Sequence, residues 1–415
     1  MEYLRYLRYQ SFTIVILSLF FTGCSEPAPP YQCSDPLGCV KLEPEAPLKI
    51  GVIQAISGKI APLGQAQLRG FELALDKREK KLLGHSVEIQ LEDTGCTAEG
   101  GANAALKIIA DPQTMAIFGT TCSGAAVTTS EAMSSAGLTM ISGNNSAPFL
   151  TSIAGKAAPS WQKGYFRTAA NDENAGTVAA NYAYSNRGLR KAATINDSDI
   201  YTKGLTESFR EAFLALGGEM VLESAINKRD SDMLPVLTAV INSEADLLFF
   251  PLFQPEANHL LIQARQFPAL DRLLLIGSGA LVEKSFLEAV GESARGMCFV
   301  GPETPHGLKV DEMNQRYKDL FGEEPAVSYY LSAYDAAELL FSSIEKAVIH
   351  TESKTLYLGR QKLRDVLYES IDMQGVTGPL SCNQFGDCAS APFNVLLLED
   401  PAQGLRGLEA NIVYP

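Results

Sequence analysis

The sequence predicts an α/β fold built from two successive doubly wound parallel sheets. From residue 48 onward, apolar runs rich in strand-forming residues alternate with amphipathic helical stretches. Some runs are apolar at every position, as in Leu247-Leu248-Phe249-Phe250, which indicates a strand covered by helices on both faces. The helical stretches separate the strands by the spacing of βαβ crossovers, and the series occurs twice, which predicts two similar lobes.

The first series covers residues 48–142. Its predicted elements are strand Leu48–Ala55, helix Gly64–Lys80, strand Ser86–Asp93, helix Ala98–Ala110, strand Met115–Gly119, helix Gly124–Ala136 and strand Leu138–Ser142. Residues 143–173, rich in Asn, Ser, Ala and Gly, separate it from the second series. In open α/β sheets, ligands bind beyond the carboxyl ends of the strands, so two facing lobes predict a ligand cleft that closes about a hinge.

The second series begins at residue 191. Its predicted elements are strand Lys191–Asn196, helix Tyr201–Leu216, strand Glu219–Ala225, helix Met233–Ser243, strand Asp246–Leu252, helix Glu256–Gln266, strand Arg272–Gly277 and helix Val282–Val290. After residue 303 the pattern is mainly helical, and short strands return near the end. These later elements are helices Val310–Leu320, Val327–Val348 and Arg360–Tyr368 and strands Gly378–Cys382, Phe393–Leu398 and Ala410–Tyr414.

The composition of the 415-residue chain narrows the classes of protein. Hydrophobic residues make up 46% and charged residues 20%, which is typical of a globular protein and excludes a mostly disordered chain, a collagen and a polytopic membrane protein. The formal net charge is -14, so nucleic acid is not expected as a partner. The chain has four histidines, which leaves little material for a histidine-rich metal site.

The N-terminus is typical of an export signal. Arg5 and Arg8 precede Ser11–Phe21, an uncharged and mostly apolar run that is too short to span a bilayer. The following Thr22-Gly23-Cys24 resembles a bacterial lipobox, which implies cleavage after residue 23 and lipidation of Cys24. The alternatives are a plain secretory signal and an uncleaved anchor. Residues 24–46 are rich in Pro and acidic groups and predict a tether with little core of its own.

The eight cysteines allow three disulfides besides a lipidated Cys24, because an exported chain meets oxidising conditions. Cys33 and Cys39 are close enough to close a small loop, and Cys382 and Cys388 flank a turn. Cys96 and Cys122 both follow predicted strands and could meet at one sheet edge. Cys298 lies in an apolar run, as expected of a buried free thiol. Sequence alone does not fix the connectivity.

Several segments, taken in order, match one known family. They are Ile50-Gly51-Val52, Cys96, Ile117-Phe118-Gly119 with Cys122-Ser123, Met140-Ile141-Ser142, Asn144-Asn145-Ser146-Ala147-Pro148, Phe166-Arg167-Thr168 and Tyr334-Asp335-Ala336. Together they resemble the leucine/isoleucine/valine-binding proteins, the extracytoplasmic solute receptors of ABC importers. The resemblance covers about residues 48–400.

The resemblance implies the type I periplasmic-binding fold, with two lobes joined by a three-segment hinge. Lobe 1 is then residues 47–168 and 303–376, and lobe 2 is residues 169–302 and 377–415. It implies a lipid-anchored receptor at the extracytoplasmic face of the membrane that delivers a small ligand to ABC permease subunits. The implied ligand is a branched-chain or other apolar amino acid. A disulfide between Cys96 and Cys122 is implied as well.

The resemblance also implies which residues bind the ligand. Ser123 holds the ligand carboxylate at a helix N-terminus, where free N–H groups favour an anion; Ser123 as a simple N-cap is the alternative. The loop of Asn144, Asn145 and Ser146 contacts the amino-acid head, or is an ordinary polar turn. The remaining implied contacts are Tyr201 and Phe253, for which core packing is the alternative, and Leu63, an apolar wall.

One position departs from the family. The branched-chain receptors have a glutamate that neutralises the ligand ammonium in the loop that here reads Gly277-Ser278-Gly279-Ala280, and Gly279 stands at or near its place. A desolvated ammonium needs a partner. We therefore expect either a substitute acid, with Asp199, Glu256 and Glu303 as candidates, or a ligand that is not a simple α-amino acid.

Two other functions remain open from the sequence. One is a ligand-sensing module for a membrane signalling receptor, and the other is a receptor for small amides or aromatic acids. An enzyme is not expected, because the sequence has no G-x-S-x-G, P-loop, G-x-G-x-x-G or H-E-x-x-H pattern. No cofactor and no metal are expected either.

Overall fold

The computed structural model describes residues 31–415, and Cys33–Pro415 form one compact unit. The predicted signal and the lipidation residue Cys24 lie outside the described residues. Within the described part of the chain, no helix combines the length and the apolar character needed to cross a membrane.

The strands are named in chain order. They are β1 Cys39–Leu42, β2 Leu48–Gln54, β3 Lys81–Leu82, β4 His85–Asp93, β5 Thr114–Gly119, β6 Met140–Ser142, β7 Ser152–Ile153, β8 Lys156–Ala157, β9 Tyr165–Arg167, β10 Lys191–Asn196, β11 Glu219–Ala225, β12 Leu247–Phe249, β13 Leu274–Ser278, β14 Cys298–Pro302, β15 Val348–His350, β16 Leu356–Gly359, β17 Met373–Gln374, β18 Pro379–Leu380, β19 Phe393–Leu397 and β20 Ile412–Tyr414.

The α-helices are named in the same way. They are α1 Ala61–Asp76, α2 Ala98–Ile109, α3 Ser123–Ser135, α4 Ala175–Asn181, α5 Ile200–Ala215, α6 Leu234–Ser243, α7 Glu256–Ala264, α8 Lys284–Val290, α9 Leu308–Phe321, α10 Tyr330–Ala347, α11 Arg360–Tyr368 and α12 Gly404–Ala410.

Two large sheets form the core, as the sequence predicts. The first sheet has the order β3-β4-β2-β5-β6-β9 and is parallel except for the β3–β4 pair. The second sheet has the order β11-β10-β12-β13-β14-β19-β20 and is parallel from β11 to β14, while β19 and β20 are antiparallel additions. Every residue of β5, β12 and β13 is buried, because helices cover both faces of each sheet.

The structure of the Pro-rich segment, residues 24–46, differs from the prediction. The sequence predicts a tether with little core over residues 24–46, but β1 lies within it and pairs antiparallel with β16. Val40 and Leu42 are 1% and 3% exposed in the main core, because the alternation of this short strand turns both side chains inward. The Pro-rich composition of residues 24–46 therefore gave no indication of this four-residue strand.

The structure pairs Cys33 with Cys39, Cys96 with Cys122, and Cys382 with Cys388. These are the three candidate pairs named in the sequence analysis. Cys298 is a buried free thiol, as expected, and its Sγ lies 3.6 Å from the Tyr182 hydroxyl.

The fully buried Arg167, the last residue of β9, connects the loop after β6 to the turn between Cys382 and Cys388. Its Nε donates to Oδ1 of Asp387 at 2.6 Å, within the Cys382–Cys388 turn. Its Nη1 donates to the carbonyls of Asn145 at 3.1 Å and Ala147 at 2.8 Å, in the loop after β6, and its Nη2 donates to the Thr151 hydroxyl at 2.5 Å. Although burial alone would raise the pKa of Asp387, Arg167 holds that pKa below its usual value.

Candidate functional site

A cavity of about 390 Å³ lies where the carboxyl ends of the parallel strands of both sheets converge. This is the position that the sheet topology predicts for a ligand. Residues that follow β5, β6 and β9 line it from the first sheet, and residues that follow β10, β12, β13 and β14 line it from the second. Its volume falls in the range of small-molecule sites, about 300–1,000 Å³.

Ser123 lines the cavity at the first turn of α3. The N-cap position belongs to Cys122, whose side chain makes no capping hydrogen bond, so the N-cap alternative for Ser123 is wrong. The Ser123 hydroxyl accepts a hydrogen bond from the Ala147 N–H at 3.3 Å. The first N–H groups of a helix have no intrahelical partner and favour negative charge, so this end of the cavity suits a carboxylate.

Of the three residues of the loop after β6, two line the cavity. Asn144 does so while its side-chain amide donates to the Thr121 carbonyl at 2.9 Å, and Ser146 does so beside it. Asn145, expected to contact the ligand, is instead fully buried outside the cavity lining. Its Oδ1 accepts from the Thr120 N–H and the Tyr165 hydroxyl, both at 3.2 Å, so it supports the loop from behind.

Asp172 is a lining residue that the sequence analysis missed. It is 5% exposed, and its backbone N–H donates to the Ser146 carbonyl at 2.9 Å. Burial raises the pKa of Asp172 to about 7, although a hydrogen bond from Ser146 and the charge of Arg167 oppose the rise. The only signal in the sequence was an acid four residues after the Phe166-Arg167-Thr168 segment, which does not by itself indicate a buried position.

The second sheet supplies an aromatic wall. The rings of Tyr201 and Phe253 both line the cavity, with centroids 5.1 Å apart. Tyr201 reaches this place because Asp199 caps α5, accepting from the Tyr201 N–H at 3.0 Å. Burial, followed by the nearby Asp172 carboxylate, raises the pKa of the Tyr201 phenol well above its usual value. Leu63 also lines the cavity, where it presents an apolar surface.

Gly279 lines the cavity as expected, and the structure shows why it carries no side chain. A β-carbon built on Gly279 would lie 2.7 Å from the hydroxyl oxygen of Tyr329. Tyr329 immediately precedes α10, which packs on α1 and β6 of the first sheet, so its phenol reaches across the cavity. A side chain at position 279 would therefore have to displace the Tyr329 phenol, which the sequence analysis did not single out.

The three expected substitute acids have different positions. Asp199 lies outside the cavity lining and pairs with Lys228, with 2.6 Å between Oδ2 and Nζ. Glu256 also lies outside it and accepts from the Arg229 N–H. Glu303 lines the cavity, with its Oε1 3.8 Å from Nδ1 of His306.

The charge of the cavity is one-sided. Among its lining residues, all of which lie in the described part of the chain, the carboxyl and imidazole groups belong to Asp172, Glu303 and His306, and no Lys or Arg is present. Such a cavity suits a ligand that carries a positive group besides any carboxylate, because a buried carboxylate is stabilised by an opposite charge.

Comparison with solved structures confirms the two-lobed α/β fold. The branched-chain amino acid transporter substrate binding protein LivJ from Streptococcus pneumoniae, in complex with isoleucine, is 22% identical with a TM-score of 0.73, over 89% of this chain and 100% of that chain. A solute binding protein of an ABC transporter from R. palustris, in complex with benzoate, is 21% identical with a TM-score of 0.72, over 89% of this chain and 98% of that chain.

Comparison of sequences identifies the family. The Leu/Ile/Val-binding protein BraC3 of Rhizobium johnstonii is 26% identical over 353 residues, which are 84% of this chain and 91% of the relative. The family model described as periplasmic binding protein matches residues 47–390. These relatives are substrate-binding proteins and not enzymes, as expected from the sequence. The match spans well over half of the chain, and the protein therefore belongs to the periplasmic binding protein family.

Proposed function

We propose that this protein is the lipid-anchored, extracytoplasmic receptor of an ABC importer for an α-amino acid whose side chain is apolar next to the head group, as in leucine, isoleucine and valine. Family membership supports an exported, extracytoplasmic binding protein. The lipobox-like sequence before Cys24 supports the anchor, and the names of the relatives support the importer and the ligand class.

The proposed ligand class is inferred from two features of one cavity, one that suits a negative group and one that suits a positive group. The N-terminus of α3 with Ser123 suits the ligand carboxylate, and the buried Asp172 suits its ammonium. Asp172 thus takes the role for which the sequence analysis sought another acid. Tyr201, Phe253 and Leu63 then cover the apolar start of the side chain.

The proposed mechanism is closure of two lobes on the ligand, with no bond made or broken. Lobe 1 is residues 47–168 with 303–376, and lobe 2 is residues 169–302 with 377–415. The cavity is lined from both sheets, so a bound ligand contacts both lobes and stabilises the closed form. The permease then recognises that form.

A thermal-shift screen of the full chain against amino acids, small amides and aromatic acids tests the proposal. A ligand at about 100 times its Kd stabilises the folded state by about 2.7 kcal/mol, which gives a clear rise in Tm. We expect a rise with leucine, isoleucine or valine, and none with benzoate, which offers no cation to Asp172. A response to benzoate and to no amino acid would overturn the ligand class.

Ser123→Ala tests the head-group assignment in the same chain. Loss of one hydrogen bond to a carboxylate is expected to weaken amino-acid binding about tenfold, while loss of the acceptor for the Ala147 N–H lowers the Tm of the free protein slightly and leaves it folded. Ser135→Ala, at the exposed opposite end of α3, is the matched control. Unchanged affinity of Ser123→Ala in calorimetry would remove Ser123 from the site.

A further inference from the structure

The cavity is lined not only by the head-group residues but also by the segments where the chain passes between the two sheets. These segments follow β9 and β14 and precede β19. The polar residues lining this half, which we call the hinge-side half, are Thr168, Glu303, Thr304, Thr377, Ser390 and Asn394. A leucine bound with its head at Ser123 and Asp172 has no polar group to offer them.

Asn394 is the main observation. It lies in β19, opposite Gly301 of β14, and is 5% exposed, yet it lines the cavity. Its backbone belongs to the sheet. Its side-chain amide atoms are not among the fully buried unsatisfied atoms of residues 31–415, so the amide is open to the cavity and can bind a polar group that arrives with the ligand.

Glu303 adds a second acceptor beside Asn394. Its backbone N–H donates to the Pro392 carbonyl at 2.8 Å, next to the start of β19. The Glu303 side chain is 38% exposed, and its one ion-pair neighbour is the 84% exposed His306 at 3.8 Å. A carboxylate only accepts hydrogen bonds and an amide both accepts and donates them, so Glu303 favours a donor on the ligand and Asn394 can pair with a carboxamide or ureido group.

A further carboxyl, that of Glu409, lies next to a residue of the hinge-side half. The Thr304 hydroxyl hydrogen-bonds Glu409, and burial raises the pKa of Glu409 to about 7. The hinge-side half therefore has acids at Glu303 and behind Thr304, with no Lys or Arg among its lining residues in the described chain. An anionic ligand group would be repelled by these acids, and one with N–H donors would be favoured.

We propose that the hinge-side half is a second ligand subsite, built on Asn394 and Glu303, for an N–H-bearing end of the ligand side chain. The ligand is then an α-amino acid with an apolar stem that ends in a carboxamide, ureido or amino group. The inference rests on the proposed function, because the subsite is defined relative to the amino-acid head.

Calorimetry on the full chain tests the subsite with pairs of amino acids of similar length. Glutamine is compared with methionine, and citrulline and lysine with norleucine. We expect at least one donor-bearing ligand to bind about tenfold more tightly than its apolar counterpart, since one satisfied buried polar group contributes about 1.4 kcal/mol in affinity terms. Tighter binding of every apolar member would overturn the subsite while leaving the proposed function standing; no binding of any amino acid would overturn both.

Two variants locate the effect. Asn394→Leu keeps the side-chain volume and removes the amide, and Glu303→Gln removes the charge at a half-exposed position that tolerates change. Each is expected to bring the ratio of the two Kd values close to one, with the Tm of the free protein unchanged for Glu303→Gln. Glu352→Gln, an exposed glutamate outside the cavity, is the control and should leave the ratio as it is. An unaltered ratio in Glu303→Gln and Asn394→Leu would show that the amide binds only water there.

Discussion

Lys228 donates a hydrogen bond across the cleft to the backbone carbonyl of Cys96, with 3.2 Å between Nζ and O. Lys228 follows β11 of the second sheet, and Cys96 follows β4 of the first. The same ammonium is held by Asp199 at 2.6 Å. Because Cys96 is fixed to Cys122 at the start of α3, this contact fastens the two sheets together beside the cavity, and none of these three polar groups belongs to the cavity lining.

Lys228→Met should therefore weaken ligand binding without touching the ligand. The side chain of Lys228 is one-third exposed, so the contact is worth about 0.5–1 kcal/mol and its loss lowers affinity about two- to fivefold. Calorimetry measures the affinity, and small-angle scattering should show a more open average shape. Lys346→Met, exposed in the last turn of α10, is the control; equal affinities in the two variants would contradict a role in closure.

Binding of an amino acid should become tighter as the pH rises through about 7. The pKa of Asp172 is raised to about 7, so below that pH the carboxyl is protonated and must lose its proton to pair with the ligand ammonium. We expect affinity to fall by up to about tenfold per pH unit below this point, and proton release on binding in calorimetry.

Two variants identify the titrating group. Asp172→Asn should remove the pH dependence as well as most of the affinity. His306→Gln should keep the slope, although this histidine also lines the cavity. A slope that survives in Asp172→Asn and disappears in His306→Gln would assign the effect to the histidine.

Gly279→Ala should weaken binding about tenfold or more. The added β-carbon would lie 2.7 Å from the Tyr329 hydroxyl, which is too close, so the closed arrangement must shift. Tyr329→Phe in the same chain removes that oxygen and should restore part of the affinity. Calorimetry on the two single variants and the double variant gives the coupling; additive effects would contradict the contact.

Arg167→Met should lower the free energy of unfolding by about 3–5 kcal/mol, because it leaves Asp387 buried without its cation. Since the pKa of Asp387 is lowered in the folded protein, the ion pair stabilises fully above the unfolded value of about 4. The difference from the unmodified protein should shrink as the pH falls through the lowered pKa. Urea unfolding at pH 7 and at pH 3 measures this; a constant difference would refute the pairing.

The sequence predicted the alternation of strands and helices well, because each element has its own periodicity. β10, β11 and α11 have the predicted bounds. It failed at β1, where four strand residues lie in a Pro-rich stretch and gain their stability from pairing with β16, more than 300 positions later. No local pattern encodes such a pairing.

The candidate site was predictable in part for the same reason. Ser123 and Tyr201 lie at the starts of the helices that follow β5 and β10, where sheet topology places ligands, and both line the cavity. Asp172 and Tyr329 were missed, because the first lies in a short 3-10 helix after β9 and the second precedes a helix that is distant in sequence. Their proximity to the cavity is a property of the tertiary fold. Asn145 was expected to contact the ligand with the rest of its loop, but it lies outside the cavity lining, because the sequence does not specify which side chains of a loop turn inward.

The contact between Gly279 and Tyr329 also constrains how this protein could change its ligand during evolution. A larger side chain at position 279 must displace the phenol, and losing the phenol alone would leave a gap in the cavity wall. Substitutions at the two positions are therefore epistatic, because the effect of each depends on the residue at the other. A change of ligand class through position 279 would thus need paired mutations and not a single one.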